Sequence, residues 1–381
     1  MKRRFLTILS LASILLSGCS GIYANFRELE HIRVIQTIGL DYIPGGVLLT
    51  LSSANVEKEN EDALCLSGYG STISEALKHI RITSSQDDLF LSQVKQILIG
   101  EEAAKQGLEP YFSYICRTGN LRIDTPVFIV KGKTAKETMT GSHSGGRGIS
   151  EILQALQNTE SEQYNSRISS ASEVINNMEK YGSSLVSLIE YTRSSENLKA
   201  QEQEKEMTAA LAGYAVIKDS KLIAYIDSEN ALGADYLLNR SGISDIVISD
   251  TEGNPVSMEI DSVKRELKPV WENKTLKGIE LYIKLNSTII ELQDNVNTPE
   301  LSDYLLSQLE SAVSDRVAYV LQLSRKLQSD FLGIAGDVKM QNPEKYRSLG
   351  NNFEDIIPKL QMKISVSASL SHSQDVKDGQ S

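Results

Sequence analysis

The chain has 381 residues, of which 40% are hydrophobic and 23% charged, and its formal net charge at pH 7 is −11. That length is enough for two or three domains with hydrophobic cores of their own. An acidic balance of this kind disfavours nucleic acid as a partner and provides no electrostatic attraction to anionic membrane surfaces.

The first eighteen residues have the features of a secretion signal. Residues 2–4 are all basic, and the uncharged stretch over 5–16 is too short to span a bilayer core of about 30 Å. The stretch ends in LSGC at 16–19, where small residues leave room around a thiol that can carry a diacylglyceryl group. This pattern is typical of a bacterial lipobox, and it predicts cleavage of the signal 1–18 and lipid attachment at Cys19. The alternative is an ordinary signal peptide with an accidental cysteine.

Strands and helices alternate after the predicted lipid-anchored tether at 19–30. We expect a hairpin at 32–51, a capped helix at 73–84 and a strand at 93–99. A helix that starts at the two acids 101–102 follows, and then a further strand at 125–131. This alternation predicts a mixed α/β N-terminal domain over 31–194.

Two segments interrupt this pattern. Residues 141–148 (GSHSGGRG) have the glycine density of a phosphate-binding loop but lack its GxxxxGK[ST] order, so we interpret them as a flexible joint between subdomains. Helices are predicted at 149–158 and 170–180. Residues 195–207 are polar and charged, which indicates a linker between domains.

The C-terminal domain is predicted over 208–372 and is followed by a disordered tail at 373–381. It contains a hairpin at 211–227 and three further strands at 245–249, 255–262 and 278–291. A helix of about thirty residues begins at Pro299, and a last strand lies at 361–370. One face of the long helix carries Leu305, Leu309, Val313, Val317, Val320 and Ser324. The predicted class is α+β and multi-domain: a mixed α/β N-terminal region followed by a C-terminal antiparallel sheet packed with a long helix.

Several stretches resemble the Ger(x)C lipoproteins, the C subunits of spore germinant receptors. No single stretch is decisive, but six occur in the family's order. They are the lipobox with a short spacer to Glu28-Leu29, VIQTIGLD at 34–41, SEAL at 74–77, LIGEEAAKQGL at 98–108, the hairpin GYAVIK at 213–218 with KLIAYID at 221–227, and KLQSD with FLGI at 326–334.

The resemblance implies a non-enzymatic subunit that is needed for nutrient-triggered germination. No cofactor is predicted, and the spacing of the cysteines and histidines does not suggest a metal site. Its implied partners are the integral membrane A and B subunits, and its implied location is the outer face of the spore inner membrane. The family fold of three small mixed domains fits segments 20–140, 149–194 and 208–372. After Asp337 the chain departs from the family's RK.P..W pattern: Pro343 is retained and Tyr346 stands near the expected tryptophan. We interpret this as divergence at a surface contact.

Residues that could carry chemistry are few. The four histidines are scattered without metal-binding spacing; they are His31, His79, His143 and His372. Adjacent helical residues do not face one another, so Glu101 and Glu102 are interpreted as acids at a helix start rather than a carboxylate pair. Asp41 and Asp227 are expected to cap turns, and Trp271 is expected in core or rim packing.

Cys65 and Cys116 could form one disulfide in an exported protein, although two buried free thiols fit the sequence better. Two other functional classes stay open. A solute-binding lipoprotein of a membrane transporter would need two lobes about a cleft, and an envelope hydrolase would need a nucleophile or metal set. The sequence also leaves open whether this chain itself binds a small molecule.

Overall fold

The computed structural model describes residues 32–53, 65–84, 88–141, 148–163, 167–193, 207–240, 242–292, 298–350 and 353–371. The predicted signal, Cys19, the tether and the tail lie outside these ranges, as do residues 142–147 of the joint and 195–206 of the linker. His31, His143 and His372 also lie outside them.

The first sheet has strand order β3-β2-β1-β5-β6-β7-β8-β9, and β4 pairs with the start of β1. Neighbours among β1, β5, β6 and β7 are parallel, and antiparallel hairpins extend the sheet at both ends. The strands are β1 (Ile32–Ile43), β2 (Gly46–Ser53), β3 (Cys65–Gly70), β4 (Asp88–Phe90), β5 (Gln96–Gly100), β6 (Val127–Val130), β7 (Ser183–Arg193), β8 (Met207–Lys218) and β9 (Lys221–Ile226).

The helices that connect these strands are α1 (Ile73–Thr83), α2 (Glu101–Gln106), α3 (Glu109–Arg117), α4 (Ala135–Thr140), α5 (Ile149–Gln163) and α6 (Ala171–Tyr181). The predicted cap of α1 is confirmed, since the Thr72 side chain accepts the backbone N–H of Glu75. Every residue of β5 and β6 is buried, as expected for central parallel strands covered on both faces. The sequence therefore predicted the alternation correctly but missed β3, β4, β7, α3 and α4.

The second sheet has the order β10-β11-β12-β13. Its elements and the helices beside it are α7 (Ser228–Leu237), β10 (Ser244–Ser249), β11 (Pro255–Glu272), β12 (Thr275–Glu291), α8 (Pro299–Leu327), α9 (Ile334–Gln341), α10 (Pro343–Arg347) and β13 (Gln361–Leu370). Short 3-10 turns lie at Phe353–Asp355 and Ile357–Lys359.

Helix α8 packs on this sheet as the sequence predicted. The Thr298 hydroxyl accepts the N–H of Leu301, and Pro299 occupies the first turn. The whole predicted apolar face is buried. The α+β class is confirmed, with a mixed N-terminal region, a C-terminal sheet and a long packed helix.

Helices α7, α9 and α10 were not predicted, and three details of the strands also differ from the sequence-based expectations. The hairpin at 211–227 is present but pairs with β7, so the change from one sheet to the other comes after Ile226 and not at the predicted linker 195–207. Strand β13 is parallel to β12, whereas the predicted sheet was antiparallel throughout. Strand β11 extends ten residues beyond the predicted end at 262.

The two sheets share one hydrophobic core. Leu185 of β7, Tyr214 and Val216 of β8 and Ile226 of β9 belong to the same buried cluster as the inner face of the second sheet and α8. The side chains of the first sheet therefore contribute to the packing of the C-terminal elements.

Candidate functional site

The carboxyl ends of parallel strands are where open α/β sheets usually bind ligands. Here Asp41 of β1 fills that position. Its side chain is only 3% exposed, and its carboxylate accepts the N–H groups of Ala135 (2.7 Å) and Lys136 (2.9 Å) at the start of α4. Burial raises the pKa of Asp41, and these two hydrogen bonds oppose that rise.

The end of β5 leaves no room beside this carboxylate. A Cβ added at Gly100 would collide with Asp41 Oδ1, so a side chain at this position would displace the carboxylate. An acidic side chain thus occupies the place that an anionic ligand would take in a related sheet.

Glu101 and Glu102 begin α2, as the sequence predicted, and their side chains make separate contacts. Glu101 accepts from Lys105 and from the backbone N–H of Gly132, while Glu102 accepts from the side chain of Gln106 at 2.7 Å. The two carboxylates therefore have different hydrogen-bond partners and do not form a paired site. This end of the sheet is closed by its own side chains.

A wide groove of about 980 Å³ lies beside this end of the sheet. It is bounded by the β1–β2 turn, the start of α1, helix α3 and the β8–β9 turn. Its charged lining residues balance, with Glu109 and Asp219 against Arg117 and Lys221. Most of the other lining is aromatic or hydroxylic, which suits neutral polar contacts better than a charged ligand.

A second polar cluster lies where the first sheet meets α8 and α9. Asp330 is 1% exposed and accepts the N–H groups of Ile334 and Ala335, both at 2.8 Å. Burial raises the pKa of Asp330 to about 7, and the nearby carboxylates Asp337 and Glu354 act in the same direction. Asp337 is itself paired with Arg265.

Lys218, the last residue of β8, connects the same region to the long helix. Its Nζ donates to the carbonyl oxygens of Gln328 (2.8 Å) and Leu327 (3.2 Å) and lies 3.8 Å from Oε2 of Glu354. A cation at this place complements the negative end of the α8 dipole. Nothing in the sequence indicated this contact, because 109 residues separate Lys218 from Leu327.

The remaining residues singled out in the sequence have local packing roles. The Asp227 carboxylate caps α7 by accepting the N–H of Asn230 at 2.8 Å, and His79 lies against Tyr69 with ring centroids 4.4 Å apart. Trp271 lies at the rim of the shared core, with the Lys345 ammonium 5.5 Å from its ring centroid. These positions give no combination of nucleophile, base and acid in contact.

Both described cysteines are free, Cys65 half-buried and Cys116 exposed, so the expectation that both thiols are buried was wrong for Cys116. Among the described residues, no cluster of three or more His, Cys, Asp or Glu side chains is placed to hold a metal ion. No helix in the described ranges has the length and apolar character to cross a membrane.

Comparisons with known proteins match both halves of the chain. Residues 25–191 match the spore germination protein N-terminal domain, and residues 212–374 match the C-terminal domain described as spore germination B3/GerAC-like. Spore germination protein B3 of Bacillus subtilis (strain 168) is 22% identical over 370 residues, which is 92% of this chain and 93% of that protein. The crystal structure of the GerBC protein superposes with a TM-score of 0.55 at 15% identity and covers 87% of this chain and 96% of that chain.

Proposed function

Because the chain belongs to the Ger(x)C family of spore germination proteins, we propose that it is the lipid-anchored C subunit of a spore germinant receptor and is needed for nutrient-triggered germination. The observation that carries this proposal is the pair of family matches, which follow one another over residues 25–191 and 212–374. A curated relative covers 92% of the chain in a single alignment, so the two domains occur together in both proteins.

The anchor is proposed at Cys19 on the strength of the lipobox at 16–19. Two acyl chains on that cysteine would hold the protein at the outer face of a membrane, because each buried CH₂ contributes about 0.8 kcal/mol. The proposed membrane is the spore inner membrane, and the proposed partners there are the integral A and B subunits.

A role in assembly and signalling, without catalysis, is supported by where the family-like stretches lie. Asp41, Gly100 and Asp330 all belong to these stretches, and they serve helix starts and close packing in the described structure. The solute-binding alternative is not favoured, since it needs two lobes that hinge about a cleft and here the two sheets share one core.

The anchor is tested by replacing the lipidated residue. Cys19→Ala should abolish incorporation of labelled fatty acid and leave the signal uncleaved, whereas Cys116→Ala should be labelled like the wild type. A Cys19→Ala variant that still takes up fatty acid would disprove the lipobox assignment.

The receptor role is tested by purifying the tagged protein from detergent-solubilised inner membranes of dormant spores. Recovery of two multi-spanning partners of the A and B type is the expected result, and deletion of the gene should block nutrient-triggered germination. Recovery of a permease with an ATPase would instead indicate a transporter.

A further inference from the structure

The proposed anchor restricts which end of the protein can face the membrane. Cys19 and the first residue of β1, Ile32, are 13 positions apart (32 − 19). Thirteen residues span at most about 45 Å, a length reached only when they are fully extended. A globular body of about 350 residues is roughly 50 Å across, so the opposite end could face the bilayer only with the tether almost fully extended, and the end at which β1 begins is held nearer to it.

We call this the tether end, and defined parts of the fold lie there. Strand β4 runs parallel to β1 and pairs Asp88 with Ile32 and Phe90 with Val34. Phe90 faces solvent with 41% of its surface exposed, while its neighbour Leu89 is buried. An aromatic side chain is thus exposed beside the second residue after the start of β1.

A second exposed apolar residue lies near the same end. Ile123 precedes β6 by four residues, and β6 is parallel to β5 and hence to β1. Its side chain is 48% exposed. Single exposed apolar side chains are common on protein surfaces, so what distinguishes these two is their shared position at the end that the tether holds near lipid.

Charges at the tether end favour apolar contact over electrostatic attraction. Arg33 and Asp88 lie at the starts of β1 and β4, and Arg122 pairs with Asp124 before β6. Strand β2 ends and β3 begins at the same end, and the sequence between them, 54–64, has four acids and one lysine. These groups give no net positive charge, so insertion of apolar side chains is the contribution left to hold this surface against a membrane.

We propose that the tether end lies on the membrane surface, with Phe90 and Ile123 in contact with the headgroup–acyl boundary. This proposal rests on the lipid anchor at Cys19. It assigns the opposite end of β1, with Tyr42 and the adjoining groove, to the side that faces away from the bilayer.

The test uses the full-length lipidated protein reconstituted in phosphatidylethanolamine–phosphatidylglycerol vesicles, with and without bromine on the acyl chains. The natural chain has one tryptophan, Trp271, whose emission gives the background. Phe90→Trp is compared with Tyr42→Trp, because these side chains have similar exposures of 41% and 38% and lie about 26 Å apart along β1. Brominated lipid should reduce the emission added by Phe90→Trp and leave that added by Tyr42→Trp unchanged.

Ile123→Trp provides a second variant at a similarly exposed position (48%), in case Phe90→Trp does not fold, and it should also be quenched. If the protein floats with the vesicles but neither variant is quenched, or Tyr42→Trp is quenched equally, the proposed surface is wrong and the anchor stands. If the wild-type protein incorporates no fatty acid and does not float, the anchor is wrong and the proposed orientation is overturned with it.

Discussion

Two buried carboxylates, those of Asp41 and Asp330, perform the same structural task at distant places in the fold. Each accepts the first two backbone N–H groups of a short helix, α4 for Asp41 and α9 for Asp330. These donors have no partner within their helices and would be costly to bury unpaired. Both residues lie in stretches that resemble the Ger(x)C family. At these positions the resemblance is explained by the need to pair the first backbone N–H groups of a helix.

The burial of Asp330 predicts a specific pH dependence of stability. Its pKa is about 7 in the folded protein against 3.8 for the unperturbed group, so the native state binds the proton more tightly than the unfolded chain. The free energy of unfolding should therefore decrease as pH rises between about 4 and about 7, by up to about 4 kcal/mol from this group. Urea titrations of wild type and Asp330→Asn across this range should show a shallower decrease for the variant.

The control for this prediction is Asp124→Asn, which removes a carboxylate from an exposed pair with Arg122. Since Asp124 is exposed, its replacement should leave the steep part of the wild-type profile in place. An Asp330→Asn profile as steep as that of the wild type would mean that Asp330 does not titrate in this range.

Gly213 of β8 illustrates a close approach that the sequence could not reveal. Its φ is +101°, and an added Cβ would collide with the carbonyl oxygen of Ile226 on β9. Gly253 has a similar φ of +88° but nothing within 4 Å of an added Cβ. Gly253→Ala should cost about 1 kcal/mol from backbone strain, and Gly213→Ala at least about 2 kcal/mol more because main chain must move. Equal losses in chemical unfolding would contradict the contact.

At the scale of elements, local signals predicted the long regular segments well. The cap and proline of α8, its repeating apolar face and the Asp219-Ser220 turn are all encoded within a few residues. The second half of β11 was missed because exposed Lys264, Glu266 and Lys268 alternate with partly buried residues and with a single buried one, Leu267. The parallel direction of β13 depends on pairing with β12, which no signal inside β13 specifies.

The contact between β8 and α8 predicts a measurable coupling of two elements. Lys218→Met keeps the apolar stem but removes the ammonium that donates to Leu327 and Gln328. The variant should lose about 1–2 kcal/mol of unfolding free energy, since the last carbonyl groups of α8 lose a charged donor. Lys221→Met, across the same turn, is the matched control and should change stability by less than about 0.5 kcal/mol. A similar loss in both variants would remove the special role of Lys218.

At the scale of the whole molecule, the C-terminal elements complete a core to which the first sheet already contributes. Tyr214 and Val216 come after the predicted linker in sequence, pair in space with residues before it, and pack against the second sheet. Sequence composition located the polar segment 195–207 but could not show that strand pairing crosses it, because pairing is a non-local property. The domain limits 31–194 and 208–372 therefore remain predictions about sequence units, whereas the sheets divide after Ile226.

This arrangement predicts how the protein responds to a cut in the polar segment. Strands β7 and β8 pair from Ser183 with Lys218 to Arg193 with Met207, and both contribute buried side chains on either side of the cut. A protease site placed within 196–205 should therefore give a nicked protein whose two pieces stay together in native gel filtration.

The nicked protein should also unfold in a single transition, at a lower denaturant concentration than the uncut protein, with a midpoint that rises with protein concentration because the pieces must now associate. The same protease site placed within 373–381 is the control, and cleavage there should leave stability unchanged. Two pieces that separate under native conditions, each with its own unfolding transition, would show that 31–194 and 208–372 are independent folding units and that the pairing of β7 with β8 is too weak to join them. Co-elution with one concentration-dependent transition would instead make β7–β8 pairing the contact through which the two halves of the protein fold together.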